Sequence, residues 1–216
     1  MIPLRDSQPS YSKPFVTIAL IAVNVLVFLY EISLDPFSLN HLMASYGLVP
    51  SQFQLTALAT SMFLHGGWLH LLGNMWFLWI FGDNVEDRFG HLKFLIFYLL
   101  AGIAATFAQF ALAPHSTVPN VGASGAIAGV LGAYILMFPQ ARVNVLLGRQ
   151  IVAMPALIVL GMWIALQLVS GVGTIAYTDE SANVGGVAYM AHIGGFAAGL
   201  LMAFLFRGPR LPDTTA

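Results

Sequence analysis

Cysteine is absent from all 216 residues, which excludes disulfide frameworks, thiolate metal sites and cysteine nucleophiles together. Any nucleophile must be an alcohol or a carboxylate. Charge is almost as scarce, because Asp, Glu, Lys and Arg make up 8% of the chain where a soluble domain has about a quarter. With 8 Lys and Arg against 9 Asp and Glu, there is neither a basic field to hold nucleic acid nor an acidic tail. A nucleic-acid partner is excluded. What fills the chain is apolar: 58% hydrophobic residues and a mean hydropathy of +0.82 mark a membrane protein.

A hydrocarbon core of about 30 Å takes roughly 20 apolar residues per helix, and six runs of that order can be counted. They cover 14–31, 62–82, 94–113, 124–139, 151–170 and 187–206. The first is too long and wrongly flanked for a cleaved signal segment, so a retained anchor is expected, and no Arg-rich, Ser-rich transit segment precedes it. No long linker divides the chain. The expected organisation is an all-α, six-transmembrane-helix bundle over 14–206, with a cytoplasmic N-terminal segment at 1–13 and a cytoplasmic tail at 207–216.

The eight basic residues test this count. Arg5, Lys13, Arg88, Lys93, Arg142, Arg149, Arg207 and Arg210 fall at the two termini and in the loops after spans two and four. The loops after spans one, three and five have none, so all eight lie on one side, and the positive-inside rule makes both termini cytoplasmic. A miscounted span would scatter them over both faces. The expected location is a cell membrane, crossed several times, and specifically a bacterial inner membrane.

Two outer connections stand out. Residues 33–61 remain partly apolar, with Phe37, Leu42 and Phe53, and suit either a helix resting in the headgroup plane or a cap folded on the bundle. Residues 171–186 are rich in Gly, Thr, Ser and Asn and read as a mobile outer loop.

Polar groups inside a membrane are expensive, so those within the spans are the functional candidates: Asn24, His65, His70, Asn74, Ser124, Gln167 and His192. Counting up from the inner end of each span at about 1.5 Å per residue puts Ser124 and His192 both roughly 22 Å up and His70 roughly 20 Å up. Three side chains from three spans can therefore meet near one plane, roughly 10 Å below the outer surface. His70 and Asn74, four residues apart, share a helix face. His65, five before His70, would sit about 140° around the same helix, which excludes a metal-binding i, i+4 pair. No metal and no cofactor is expected.

A serine alone in a membrane helix is most often structural, its hydroxyl bonded back to its own backbone. Context argues otherwise here. Gly122-Ala123-Ser124-Gly125-Ala126 surrounds the hydroxyl with almost no bulk, and Gly195 and Gly199 lie on the His192 face of span six. Such small residues permit close helix packing, which is an innocent reading, yet they also let an imidazole reach a hydroxyl. Two glycine-lined faces carrying Ser and His at one depth look like a nucleophile and its base.

At this point three motifs resemble those of the rhomboid family of intramembrane serine proteases. They are His65-Gly66-Gly67-Trp68-Leu69-His70-Leu71-Leu72-Gly73-Asn74, Gly122-Ala123-Ser124-Gly125, and Ala191-His192-Ile193-Gly194-Gly195 followed by Gly199. The resemblance implies a rhomboid-like bundle in which Ser124 is the nucleophile and His192 its general base and later acid. It makes His70 and Asn74 donors to the oxyanion, with the backbone N–H of Ser124, and it matches Glu86 to a structural acidic position. Gly122, Gly125, Gly195 and Gly199 would pack the helices around this dyad. The implied partners are the lipid bilayer and transmembrane segments of other proteins, admitted between spans two and five. Two departures stand beside it: Ala128 occupies the place where some members hold an aromatic against the imidazole, and the first outer loop lacks a Trp-Arg pair.

Other classes compete. A non-proteolytic rhomboid-like chaperone or adaptor would keep the glycines but lack Ser124 or His192, and both are present. A transporter would spread polar groups through both membrane halves or show internal repeats. A zinc protease needs His-Glu-x-x-His, and a soluble-type hydrolase a strand and a Gly-x-Ser-x-Gly elbow, none of which occurs.

Overall fold

Helix formation follows the apolar runs, since a backbone in lipid must satisfy its own hydrogen bonds. In the computed structural model, which describes residues 1–176 and 188–206 (172–176 as backbone alone), the six runs correspond to α1 (Phe15–Ser33), α4 (Trp68–Phe89), α5 (His91–Leu112), α6 (Ser124–Met137), α7 (Ala156–Ala176) and α8 (Tyr189–Phe206). Two short helices, α2 (Pro36–Tyr46) and α3 (Ala57–Thr60), lie between the first two. Among the described residues, α1, α5 and α8 are long and apolar enough to cross a membrane by length and composition. The others fall short for specific reasons. Helix α6 has 14 residues, α7 is described with its side chains only as far as Gly171, and α4 carries Asp83, Glu86, Asp87 and Arg88 in its last two turns.

Helix α6 is the axis of the bundle. Its ten residues from Gly125 to Tyr134 are consecutively buried, which requires apolar side chains all round rather than along one stripe. Small residues set how closely its neighbours approach. A methyl group on Gly195 or Gly199 of α8 would lie 2.1 Å or 2.0 Å from the carbonyl oxygens of Gly125 and Gly129, so α6 and α8 meet backbone to backbone. Gly125 itself would collide with Ala105 of α5 at 2.5 Å.

Helix α1 opens without a capping side chain of its own. Glu86 supplies one from α4: its carboxylate accepts from the N–H groups of Val16 and Thr17 at 2.8 Å and 2.7 Å, and from the Thr17 hydroxyl at 2.7 Å. A negative group at a helix N-terminus satisfies orphaned donors and opposes the helix dipole. The structural role expected of Glu86 is the one observed.

The fold is not purely helical. Strands β1 (Ile2–Asp6), β2 (Arg142–Leu147) and β3 (Gln150–Pro155) form an antiparallel sheet in the order β1-β2-β3. Val143 and Val145 alternate with exposed Arg142 and Asn144, giving the period of two that a half-buried strand needs. The 1–13 segment is therefore partly structured, and residues 151–155, assigned above to span five, are strand. Pro3 accepts from the Trp76 indole at 2.6 Å and Gln8 from the Asn84 amide at 3.1 Å, which lays the N-terminal chain along α4. All six described Lys and Arg residues gather at this end of the bundle, while Arg207 and Arg210 lie outside the described residues.

At the opposite end, residues 47–63 fold as a cap. Leu48 exchanges backbone hydrogen bonds with Asn120, and the Ser51 N–H reaches the Ser116 carbonyl at 2.9 Å. Leu48, Val49, Ala57 and Leu58 are buried there, whereas α2 buries no residue. Of the loop expected at 171–186, residues 171–176 continue α7 and the remainder lies outside the described residues.

Candidate active site

Ser124 is the first residue of α6, so its N–H has no acceptor within the helix. Gly122 precedes the helix at φ +127°, a region that favours glycine. Its part differs from the helix packing expected of it: a Cβ there would stand 2.7 Å from His70 Cε1 and Nε2, so it makes room for an imidazole. The Gly122 N–H is itself held by the Ser61 carbonyl at 2.9 Å, which anchors the approach to the serine.

His192 sits in the first turn of α8. The preceding residue donates its backbone N–H to Gln109 of α5 at 3.3 Å. The imidazole is buried, with Nε2 2.8 Å from Ser124 Oγ. Its other nitrogen, Nδ1, lies 2.7 Å from Gln167 Oε1 of α7. An amide oxygen can only accept, so the proton belongs on Nδ1, and Nε2 is free to accept from the serine hydroxyl. The Trp163 ring, one turn before Gln167, lies 5.6 Å from the imidazole by centroids at 36°.

On the facing wall, His70 and Asn74 project from α4. His70 Nδ1 accepts from the Gly66 N–H at 3.4 Å, which in the neutral ring leaves Nε2 as a donor. Asn74 Nδ2 lies 3.1 Å from His65 Nε2. His65 precedes α4 rather than riding on it, so its ring comes within 5.1 Å of the His70 ring by centroids, and the 140° separation expected on one helix does not arise. Between the two walls is a cavity of about 800 Å³, lined by His70, Asn74 and Phe77 of α4, Trp163 of α7, Ser124 and His192.

The structure thus brings Ser124 of α6, His192 of α8, and His70 and Asn74 of α4 to the lining of one cavity. Gly125, Gly195 and Gly199 lie in the α5, α6 and α8 seams that set this approach. Gln167, Trp163 and His65 received no role from the sequence. The available signal was a polar residue in an otherwise apolar span, one helical turn after a tryptophan.

Comparison with known proteins decides the kinship of this arrangement. A model of the Rhomboid domain matches residues 52–209, well over half of the chain. The chain belongs to the rhomboid family. It is 34% identical over 192 residues to Rhomboid protease GluP of Bacillus subtilis (strain 168), covering 86% of this chain and 34% of that protein. RHOMBOID-like protein 4 of Arabidopsis thaliana is 34% identical over 143 residues, 66% of this chain and 32% of the relative. Rhomboid-like protein 11, chloroplastic, from the same plant is 28% identical over 160 residues, 74% and 54% respectively. The chain spans from about a third to about half of the length of these relatives. In this rhomboid the position one turn after Ser124 is a buried alanine, Ala128, and the aromatic beside the imidazole comes from α7 instead.

Proposed function

We propose that this rhomboid is an intramembrane serine endopeptidase that cleaves transmembrane segments of other proteins. The observation that carries the reading is the 2.8 Å approach of Ser124 Oγ to His192 Nε2 at the wall of a cavity faced by His70 and Asn74. In the mechanism, Nε2 takes the hydroxyl proton as Oγ attacks the scissile carbonyl, then returns it to the leaving amine. The oxyanion that develops meets three donors: the Ser124 N–H, His70 Nε2–H and the second amide hydrogen of Asn74. Donors fixed before the reaction stabilise the transition state without reorganising. Among the described residues the partners of the His192 ring are Ser124 and Gln167 rather than a carboxylate, and the reading takes the catalyst as a dyad.

The same reading takes all six long helices as spans, with 14–206 as the membrane core and 1–13 and 207–216 as cytoplasmic flanks. The gathering of the described basic residues at one end supports it through the positive-inside rule, and the reading includes a bacterial inner membrane location with both termini inside. The short α6 is expected in this arrangement. A helix starting below the surface lets the 114–122 loop line a water-filled cavity, where its backbone groups are satisfied by the 47–63 cap. Substrate would be admitted between α4 and α7, where the cavity lies. A helical substrate shields its peptide bonds, so a locally unwound segment with small residues should be preferred.

Purified protein in liposomes with a tethered transmembrane substrate tests this. Wild type should cleave and be labelled at Ser124 by an active-site phosphonate, and folded Ser124→Ala and His192→Ala should do neither. Cleavage persisting in Ser124→Ala would overturn the assignment, and a wild type that neither cleaves nor labels would favour a chaperone or adaptor role.

A further inference from the structure

The helix that borders the proposed substrate path is also the one that holds the catalytic imidazole. Both groups supporting the His192 ring come from α7: Gln167 Oε1 at 2.7 Å on Nδ1, and the Trp163 ring at a centroid distance of 5.6 Å. They are four residues apart and so share one helix face. Helix α6, which carries the nucleophile, contributes neither, because Ala128 has no ring to offer. We infer that Gln167 is a positioning residue of the reaction, selecting the Nδ1–H tautomer of His192 and thereby making Nε2 the proton acceptor for Ser124, with Trp163 bracing the ring. The inference rests on the proposed protease reading.

The chemistry is specific. In a neutral imidazole one nitrogen donates and the other accepts, and the partner of the first decides which is which. Without an acceptor at Nδ1 the ring can carry its proton on Nε2 and point it at Ser124, where no proton can then be taken. An acceptor amide also steadies the imidazolium that forms during attack, although less than a carboxylate does. Because the acceptor is on α7, a displacement of that helix toward lipid draws Gln167 from Nδ1. Among the described residues, the titratable group facing this imidazole from another element is His70 of α4, across the cavity. Helices α6 and α7 contain no Asp, Glu, Lys, Arg or His, and α5 none beyond His91 and Lys93 in its first turn.

The test uses the whole protein in liposomes, with rates measured against pH for wild type, Gln167→Met, Gln167→Glu and Ser124→Ala. Gln167→Met keeps length and volume but removes the acceptor. It should lower kcat roughly 10- to 100-fold with KM within about twofold, the direction of a wrong-tautomer defect. Gln167→Glu keeps the acceptor and adds charge that favours the imidazolium. It should recover most of the rate and move the acid limb of the pH profile to higher pH, which a merely structural role would not do. Wild-type kcat in Gln167→Met and an unmoved profile in Gln167→Glu, with Ser124→Ala inactive, would overturn the inference while leaving the protease reading intact. Activity in Ser124→Ala would remove both. Should Gln167→Met fail to fold, the profile of Gln167→Glu and a reduced phosphonate-labelling rate in Trp163→Leu still decide it.

Discussion

Gly195→Ala places one methyl group three residues from His192 on the face of α8 that meets α6. Its Cβ would stand 2.1 Å from the Gly125 carbonyl oxygen and 3.0 Å from the Gly125 carbonyl carbon, where ordinary contact begins near 3.4 Å. Backbone atoms on α6 cannot rotate aside as a flexible side chain can, so α8 must retreat by about 1.3 Å. His192 rides less than one turn away and moves with it. The Ser124–His192 separation then grows from 2.8 Å toward 4 Å, beyond hydrogen-bond reach. A misplacement of about 1 Å at a reacting pair can reduce the rate about 10²-fold, while overpacking of this size destabilises by about 1–3 kcal/mol. Activity should therefore fall far more than stability. The assay is cleavage of the tethered substrate in liposomes beside thermal unfolding in detergent, with Gly161→Ala on α7 as the comparison. No atom lies within 4 Å of a Cβ at Gly161, so that variant should gain roughly 0.5–1 kcal/mol from helix propensity and keep its activity. Gly195→Ala cleaving within threefold of wild type would refute the claim that the α6–α8 seam sets the dyad distance.

Other perturbations follow from the same contacts. Glu86→Ala leaves the first N–H groups of α1 without their buried acceptor and should lower stability by about 3 kcal/mol or more, with Glu86→Gln losing less because one oxygen remains, both measurable by thermal unfolding. Gly122→Ala strains a positive φ and drives a methyl into the His70 ring, so phosphonate labelling should slow even where the protein stays folded. Desolvation in the sheet holds the Asp6 carboxyl above its ordinary range, against a hydrogen bond from Tyr134 that pulls the other way. The native state therefore keeps this proton to higher pH than the unfolded chain, and stability falls as pH rises from the unfolded titration through the native one. Asp6→Asn keeps the acceptor for Tyr134 and removes the charge, so its advantage over wild type should grow across that window and then level off. Parallel melting curves with pH would contradict this.

Much of this protein was legible before any coordinates. Hydrocarbon thickness translates into run length, so the six long helices could be located, and one-sided Lys and Arg gave the orientation proposed for them. Counting residues along rigid helices also singled out Ser124, His192 and His70 as side chains that could meet, and they line one cavity. The limits have equally physical causes. A strand can hide in an apolar run, because residues 151–155 are as hydrophobic as a span and only their pairing with 142–147 separates them from one. Helix starts are set by turns and glycines, which is why His65 fell outside α4 and came beside His70 and Asn74. Gln167 gave no sign of its partner, since composition and period say which residues are in a helix but not how adjacent helices are rotated. The amino-acid sequence by itself determined that this chain lives in a membrane and which few polar residues interrupt its apolar runs, because hydropathy and run length are local properties. Only the tertiary structure decided that α7 supports the imidazole, because a 2.7 Å contact between residues 25 apart depends on the packing of whole helices.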